Sequence, residues 1–70
     1  MMLDRYYNEL KEGQKVHFGL NRNHWDGVVL NVNNINDVIR VNVTKRATGV
    51  GLIQQFNLIE CSRYISITIN

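Results

Sequence analysis

Apolar and polar side chains alternate with a period of two through most of the chain from Lys15 onward. The clearest run covers residues 39–44, where each β-branched apolar residue is followed by a polar one. In the second predicted strand the same alternation places Val28, Leu30 and Val32 on one face. A period of two puts successive side chains on opposite faces of a β-strand, so that one face is buried and the other meets solvent. The chain is therefore predicted to be mainly β.

Turn-forming residues divide this region into five short predicted strands. Their approximate starts are Lys15, Trp25, Ile39, Leu52 and Tyr64. Gly27 indicates a bend or a close backbone approach in the second strand. The fourth strand, residues 52–61, changes its alternation midway, which favours a β-bulge, and a tight turn is predicted at residues 62–63. Short strands joined by tight turns favour a five-stranded, strongly bent antiparallel barrel over a parallel sheet.

Residues 3–12 have a helical period instead. Their apolar and aromatic side chains form one stripe, made of Leu3, Tyr6, Tyr7 and Leu10. Asp4 suits the start of a helix, where a carboxylate meets unpaired N–H groups, and Gly13 suits its end. We therefore predict a short N-terminal α-helix over about residues 3–12 that covers the barrel of residues 15–70. Together they form a single domain, residues 1–70.

Composition limits the class of protein. The single cysteine, Cys61, allows no internal disulfide and fits a reducing compartment. No apolar run approaches the roughly 18 residues of a membrane span, and the N-terminus does not resemble a secretory signal. We expect a cytoplasmic protein without a membrane partner. The net charge of +2 and the pI near 9.0 permit binding to a polyanion without requiring it.

The sequence predicts neither catalysis nor a cofactor. No Ser-His-Asp, Cys-His or paired-carboxylate arrangement is suggested, so the expectation is that the protein is not an enzyme. The plausible metal ligands are His17, His24, Asp26 and Cys61, but their spacing matches no metal-binding motif. No metal site is therefore expected. Cys61 is predicted to be a small buried apolar residue.

The stretch from Gly27 onward contains strand hydrophobics at residues 28–30, a polar turn at residues 33–37 and a further hydrophobic strand at residues 38–41. This gapless spacing resembles the first conserved motif of Sm-like (Hfq-like) proteins. That family has an N-terminal helix followed by a five-stranded, strongly bent barrel. Asn33 stands where its aspartate is expected, and residues 62–63 stand at the Lys-His pair of the Hfq-like branch. SH3-like barrels have nearly the same strand order and fit the chain as well.

The resemblance implies RNA binding at the turns, where amides contact base edges and an arginine holds phosphate or stacks. Cationic side chains elsewhere on the surface would add phosphate contacts. The candidate nucleic-acid-binding residues are Asn34, Asn36, Arg40, Lys45, Arg46 and Arg63. These side chains equally fit solvated turns and surfaces. The predicted function is a non-catalytic nucleic-acid-binding protein that favours RNA. The alternative is a protein–protein interaction module, such as an accessory or phage adaptor with an SH3-like barrel.

The last predicted strand, residues 64–70, is apolar and carries neither proline nor lysine. An unprotected edge of this kind favours pairing with another chain, so a homo-oligomer through this strand is predicted. The alternative is that the strand pairs with the first strand of its own barrel.

Overall fold

The computed structural model describes residues 1–46 and 52–68. It contains five strands and one helix, namely β1 (Lys15–Leu20), β2 (Asn23–Asn33), β3 (Val38–Arg46), β4 (Leu52–Asn57), α1 (Leu58–Tyr64) and β5 (Ile65–Ile67). The strands form one antiparallel sheet in the order β4-β3-β2-β1-β5. The prediction of a mainly β chain with five antiparallel strands is confirmed. The end of the last predicted strand, at residues 69–70, lies outside the described residues.

The predicted closure into a barrel was wrong for the part of the chain described. β4 and β5 are the two edges of the sheet and do not pair with each other. Two register shifts interrupt the pairing of β2 with β3, one between Asp26 and Gly27 and one between Val29 and Asn31. Such bulges bend a strand and increase its twist. The sheet can therefore fold over one core while α1, which contacts both β4 and β5, connects the two edges.

The core lies on the concave face of this bent sheet. Its buried side chains are Met2, Leu10, Val16, Phe18, Trp25, Val29, Ile39, Val41, Val43, Phe56, Cys61 and Ile65. The rings of Phe18 and Trp25 stack in parallel with centroids 4.8 Å apart, and Phe56 packs against both at 5.3 Å. Three aromatic rings in one cluster supply much of the apolar area that so small a domain can bury.

The alternation in β2 has the opposite phase to the one predicted. Trp25, Gly27 and Val29 are buried, whereas Leu30 is exposed and Val32 is half-buried. The bulge at Leu30 shifts the strand by one residue, so that no single parity describes both of its halves. Gly27 confirms the predicted close approach. A Cβ atom at this position would lie 2.6 Å from Val41 Cγ1 and 2.8 Å from the carbonyl oxygen of Asn42.

The predicted N-terminal helix was wrong. Residues 2–10 form a hydrogen-bonded loop in which Leu3 bridges to Glu9. The carboxylate of Asp4 accepts the backbone N–H groups of Tyr6 at 2.9 Å and Asn8 at 2.8 Å. Tyr7 has a positive φ of 65°, which a right-handed helix does not allow. The Asp4 side chain accepts hydrogen bonds from these N–H groups in a non-helical conformation. A helix therefore competes less well for this segment.

Asp4 also attaches this loop to the sheet. Its second carboxylate oxygen accepts the backbone N–H of Ile67 at 3.0 Å, and the N–H of Arg5 donates to the carbonyl of Ile65 at 2.8 Å. Asp4 is buried. Burial raises the pKa of this carboxyl, but the hydrogen bonds from Ile67, Asn8 and Tyr6 outweigh it, so that the pKa lies below its usual value. The charged carboxylate is therefore the form that holds the loop on β5.

The fourth predicted strand ends early, and α1 replaces both its second half and the predicted turn at residues 62–63. Asn57 caps the helix by accepting the N–H of Glu60 at 2.8 Å, and the Glu60 carboxylate accepts the N–H of Asn57 at 3.1 Å. This reciprocal capping box satisfies N–H groups that a helix start leaves unpaired. The midway change of alternation in the sequence therefore marks a change from strand to helix, not a bulge.

Candidate functional site

The structure does not bring the six predicted nucleic-acid-binding residues together. Asn34 and Asn36 lie in the exposed turn between β2 and β3. The turn is shaped by Asn33, whose side-chain oxygen accepts the N–H groups of Ile35 and Asn36 at 3.0 Å each. Asn33 therefore has a structural role here, while the side chains of Asn34 and Asn36 face solvent. Two exposed amides at the tip of a hairpin are accessible to a ligand.

The predicted cations occupy other parts of the fold. Arg40 lies exposed in the middle of β3, and Arg63 lies exposed in the last turn of α1. Lys45 pairs with Asp26 in the β2–β3 ladder, and Arg46 is the last residue of β3. Lys45 is seven positions along β3 from Val38, which corresponds to at most about 23 Å at the usual rise of a strand. The hairpin tip and Lys45 are thus at opposite ends of the same ladder.

Lys45 instead lies beside a groove on the outer face of the sheet. The groove has a volume of about 390 Å³ and crosses β1, β2 and β3. Lys15, Asp26, Val28, Thr44 and Thr68 are among the residues that line it. The register passes from Asp26–Lys45 to Gly27–Val43, so Thr44 is the extra residue on β3, and its hydroxyl donates to the carbonyl of Asp26 at 3.3 Å, which helps to hold this bulge against β2. Lys45 is the register partner of Asp26, and paired residues on neighbouring strands face the same side of a sheet, so Lys45 lies on the same face as Lys15.

A chain of polar contacts lies next to this groove and involves three residues on β1 and β2. Nδ1 of His17 is 2.9 Å from a carboxylate oxygen of Asp26, and Nε2 of His17 is 3.2 Å from Nδ1 of His24. Nε2 of His24 is 3.1 Å from the carbonyl oxygen of Asn21. The antiparallel register explains this grouping, because His17 pairs with Asp26. The sequence offers His17, His24 and Asp26 as possible ligands, but their spacing along the chain matches no motif that would join them.

Tyr6 and Tyr7 were predicted to cover the barrel, but both are exposed, at 65% and 83% of their surface. The guanidinium of Arg5 lies 5.3 Å from the centre of the Tyr6 ring. Both tyrosines lie in the turn between the buried residues Asp4 and Leu10, and Tyr7 adopts its positive φ within this turn. Sequence reasoning missed this surface because it placed both tyrosines on a buried helical stripe.

Positive charge is more exposed than negative charge. Among the lysines and arginines whose side chains the structure describes, all seven are exposed, namely Arg5, Lys11, Lys15, Arg22, Arg40, Lys45 and Arg63. Of the six acidic residues, Glu9 and Glu12 are exposed, Asp26, Asp37 and Glu60 are half-buried, and Asp4 is buried. Asp4 and Glu60 accept backbone N–H groups, and Asp26 contacts His17. The accessible surface is therefore more basic than the net charge of +2 suggests.

The one cysteine is not an exposed nucleophile. Cys61 is fully buried in α1, and burial together with the nearby Glu60 carboxylate raises the pKa of its thiol to about 12. The prediction of a small buried residue at this position is confirmed. Residues 1–46 and 52–68 contain no group of three or more His, Cys, Asp or Glu side chains arranged around a common metal position.

No family model, no curated protein and no solved structure matches this chain. Among the residues that the structure describes, α1 is the single helix, and neither its length nor its composition would let it cross a membrane.

Proposed function

We propose that the protein binds nucleic acid without catalysing a reaction and that it favours RNA. The carrying observation is the distribution of charge among the described residues, with seven exposed cations against two exposed and three half-buried carboxylates. Lysine and arginine side chains bind phosphates largely by releasing counterions from the polyanion. Lys15 and Lys45 beside the groove and Arg63 on α1 are the residues that we expect to contribute most.

Exposed aromatic rings support single-stranded RNA as the ligand. Tyr6 and Tyr7 are held in solvent by the Asp4 loop, and Arg5 lies against one of them. Unpaired bases stack on tyrosine rings, and single-stranded segments are the usual target of sequence-dependent RNA recognition. Asn34 and Asn36 at the hairpin tip offer amide groups to base edges.

The Sm-like or SH3-like interpretation of the fold is part of this proposal. Five antiparallel strands in sequential pairing, with β5 returning to β1, support it. The hydrogen-bonded loop at residues 2–10 removes the N-terminal helix, which was one element of the Sm-like resemblance. A cytoplasmic location is likewise proposed.

Binding can be measured by fluorescence anisotropy with labelled U-rich and A-rich single-stranded RNA at low salt, with DNA of the same sequences in parallel. We expect RNA to bind more tightly than DNA. Each phosphate contact contributes about 0.7 to the slope of log K against log salt for single strands. Neutralising Lys45 and Arg63 with glutamine should therefore lower the slope by about 1.4.

Lys11→Gln is the matched control, because Lys11 already has a carboxylate partner in Glu9 at 3.9 Å. It should change the slope less than Lys45→Gln does. Replacing Tyr6 and Tyr7 by serine should weaken binding without changing the slope, because stacking releases no counterions. The proposal is refuted if no RNA binds at low salt, or if binding is unaffected by the changes at Lys45 and Arg63.

A protein–protein interaction module is the second candidate. No strand pairs with the outer edge of β4 in the described part of the chain, and Ile53, Leu58 and Ile59 are exposed on β4 and α1. A partner strand could pair with such an edge. If a second copy is that partner, the mass in solution is a multiple of 8.1 kDa, and Ile53→Lys returns it to the monomer.

Self-association through residues 64–70 also stays a prediction. β5 pairs with β1, and Asp4 and Arg5 bind the outer side of Ile65 and Ile67. A partner strand would therefore have to displace the N-terminal loop from this edge. A mass measurement with an Asp4→Ala variant separates the two edges, since loosening the loop exposes β5 but leaves β4 unchanged.

A further inference from the structure

The β1–β2 hairpin aligns two imidazole rings so that one nitrogen of each faces the other. Nε2 of His17 and Nδ1 of His24 are 3.2 Å apart. The ring planes differ by 28°, and the centroids are 5.4 Å apart. Both rings are accessible to solvent, since His24 is exposed and the His17 side chain is 41% exposed.

The remaining ring nitrogens identify which tautomer each histidine adopts. An ionised carboxylate only accepts hydrogen bonds, so Nδ1 of His17 carries the proton that is donated to Asp26. A carbonyl oxygen also only accepts, so Nε2 of His24 carries the proton that is donated to Asn21. In the neutral rings, the two nitrogens that face each other are therefore both unprotonated. Two lone pairs at 3.2 Å repel unless an electrophile lies between them.

We propose that His17 and His24 bind a divalent transition metal ion of the zinc class through Nε2 and Nδ1, respectively. Two nitrogens at about 2.0–2.1 Å from one tetrahedral ion are about 3.3 Å apart, close to the observed separation. Neutral imidazole is a preferred ligand for zinc, copper and nickel, whereas magnesium and calcium prefer oxygen. Water or an outside ligand completes the coordination, because the described residues supply no third protein ligand to a common position.

The surroundings of the two rings are those that metal-binding histidines require. Such a histidine almost always donates its other ring N–H to a carboxylate, a backbone carbonyl or water, which fixes the tautomer and the orientation of the ring. Asp26 does this for His17, and the carbonyl of Asn21 does it for His24. Asp26 also supplies negative charge beside the ion, which offsets the nearby Lys45.

Gly19 leaves space for the imidazole ring of His24. A Cβ atom at Gly19 would lie 3.1 Å from Cε1 and 3.2 Å from Nδ1 of His24, and 3.8 Å from Nε2 of His17. Gly19 has no positive φ, so that its backbone conformation does not itself demand glycine. The missing side chain leaves space for the His24 ring next to His17. This site is independent of the proposed nucleic-acid binding, because neither histidine contributes to that proposal.

Zinc titration of the untagged full chain, followed by two-bond ¹H–¹⁵N spectra of the imidazole rings, tests the assignment. We expect zinc to shift Nε2 of His17 and Nδ1 of His24, while the two other ring nitrogens stay protonated. Magnesium at the same concentration should shift neither. If the pair holds only a shared proton, acid will change these resonances but zinc will not, and the proposal is overturned.

Amino-acid substitutions distinguish the two metal-binding histidines from the residues that support them. His17→Gln and His24→Gln should each abolish specific zinc binding, measured by competition with a chelating dye. Asp26→Asn should lower the affinity by about 10- to 100-fold, as is usual for the partner of a metal-binding histidine. Gly19→Ala should weaken binding by crowding His24. Circular dichroism confirms that each variant is folded. Zinc affinity that is unchanged in both histidine variants would place the metal elsewhere and refute the site.

Discussion

Replacing Asp4 by asparagine removes one acceptor from the contact that attaches the N-terminal loop to the sheet. In the native chain one carboxylate oxygen accepts the N–H groups of Tyr6 and Asn8, and the other accepts the N–H of Ile67 at 3.0 Å. An amide has a single acceptor oxygen. Whichever way the asparagine side chain turns, its NH₂ group faces at least one backbone N–H, so a donor is left without an acceptor.

The expected loss of folding free energy in Asp4→Asn follows from the burial of Asp4. Asp4 is 1% exposed, and a buried donor that loses its acceptor costs about 1–3 kcal/mol. At about 0.05–0.15 kcal/mol per residue, a domain of this length has a total stability of about 4–10 kcal/mol. Asp4→Asn should therefore remove a large part of the stability. A loss of 1 kcal/mol lowers Tm by about 4–8 °C at this size, so the expected fall is about 4–24 °C.

Urea unfolding followed by tryptophan fluorescence measures this effect. Trp25 is the only tryptophan, and it is buried against Phe18, so that its emission reports the core. Glu12→Gln is the matched control, because it makes the same acid-to-amide change on an exposed side chain and should alter stability by less than about 0.5 kcal/mol. If Asp4→Asn unfolds at the same urea concentration as this control, the Asp4 contacts contribute nothing and the reasoning fails.

The same residue predicts a pH dependence. Burial alone would raise the pKa of Asp4. The hydrogen bonds to its charged form outweigh burial, so that the pKa in the folded protein lies below the ordinary value of 3.8. As the pH falls, the unfolded chain takes up this proton before the folded one does. The contribution of Asp4 is thus complete above about pH 3.8 and declines as the pH falls through the folded pKa. Wild type should lose stability more steeply than Asp4→Asn in that acid range.

Two further predictions concern the core. Gly27→Ala places a Cβ atom 2.8 Å from the backbone oxygen of Asn42, which cannot move without shifting β3. We expect the free energy of unfolding in urea to fall by about 1–3 kcal/mol. An unchanged urea midpoint would contradict the close approach. The Cys61 thiol, fully buried and with its pKa raised to about 12, should not react with a soluble disulfide reagent in the native state and should react once urea unfolds the chain. Rapid labelling without urea would contradict the burial.

Local periodicity predicted the strands well where no bulge intervenes. The alternation predicts Val16, Phe18 and Leu20 on one face of β1 and Ile39, Val41 and Val43 on one face of β3. All of these residues are buried except Leu20, which is half-buried. In β2 the same reasoning chose the wrong face up to Leu30, whereas Val32 beyond the bulge packs against the core. A bulge adds one residue to a strand, and the sequence has no residue that distinguishes Leu30 as the inserted one.

The two errors about helices have different causes. The helical spacing of Leu3 and Leu10 is genuine, but Asp4 competes for the backbone N–H groups that a helix would use. For α1 a signal was present and was missed. Asn57 and Glu60 have the spacing of a capping box, which marks the start of a helix inside an apolar run.

The candidate nucleic-acid residues were chosen from their side-chain chemistry, and that chemistry can be read from any sequence. The positions of these residues relative to one another cannot be read from the sequence. Lys45 lies beside Asp26 and the outer groove, far along β3 from the hairpin tip with Asn34 and Asn36. The register of the ladder sets these distances, and it depends on the bulges at Thr44 and Leu30.

The sequence by itself determined that the chain is mainly β and where most of its core residues lie. These properties depend on side-chain alternation between near neighbours, which acts before any long-range contact forms. The tertiary structure decided what joins distant segments. Asp4 meets Ile67 across 63 positions of the chain, and strand pairing brings His17 to Asp26 and to His24. Such contacts depend on register and on the bending of the sheet, which are set by the packing of the whole core.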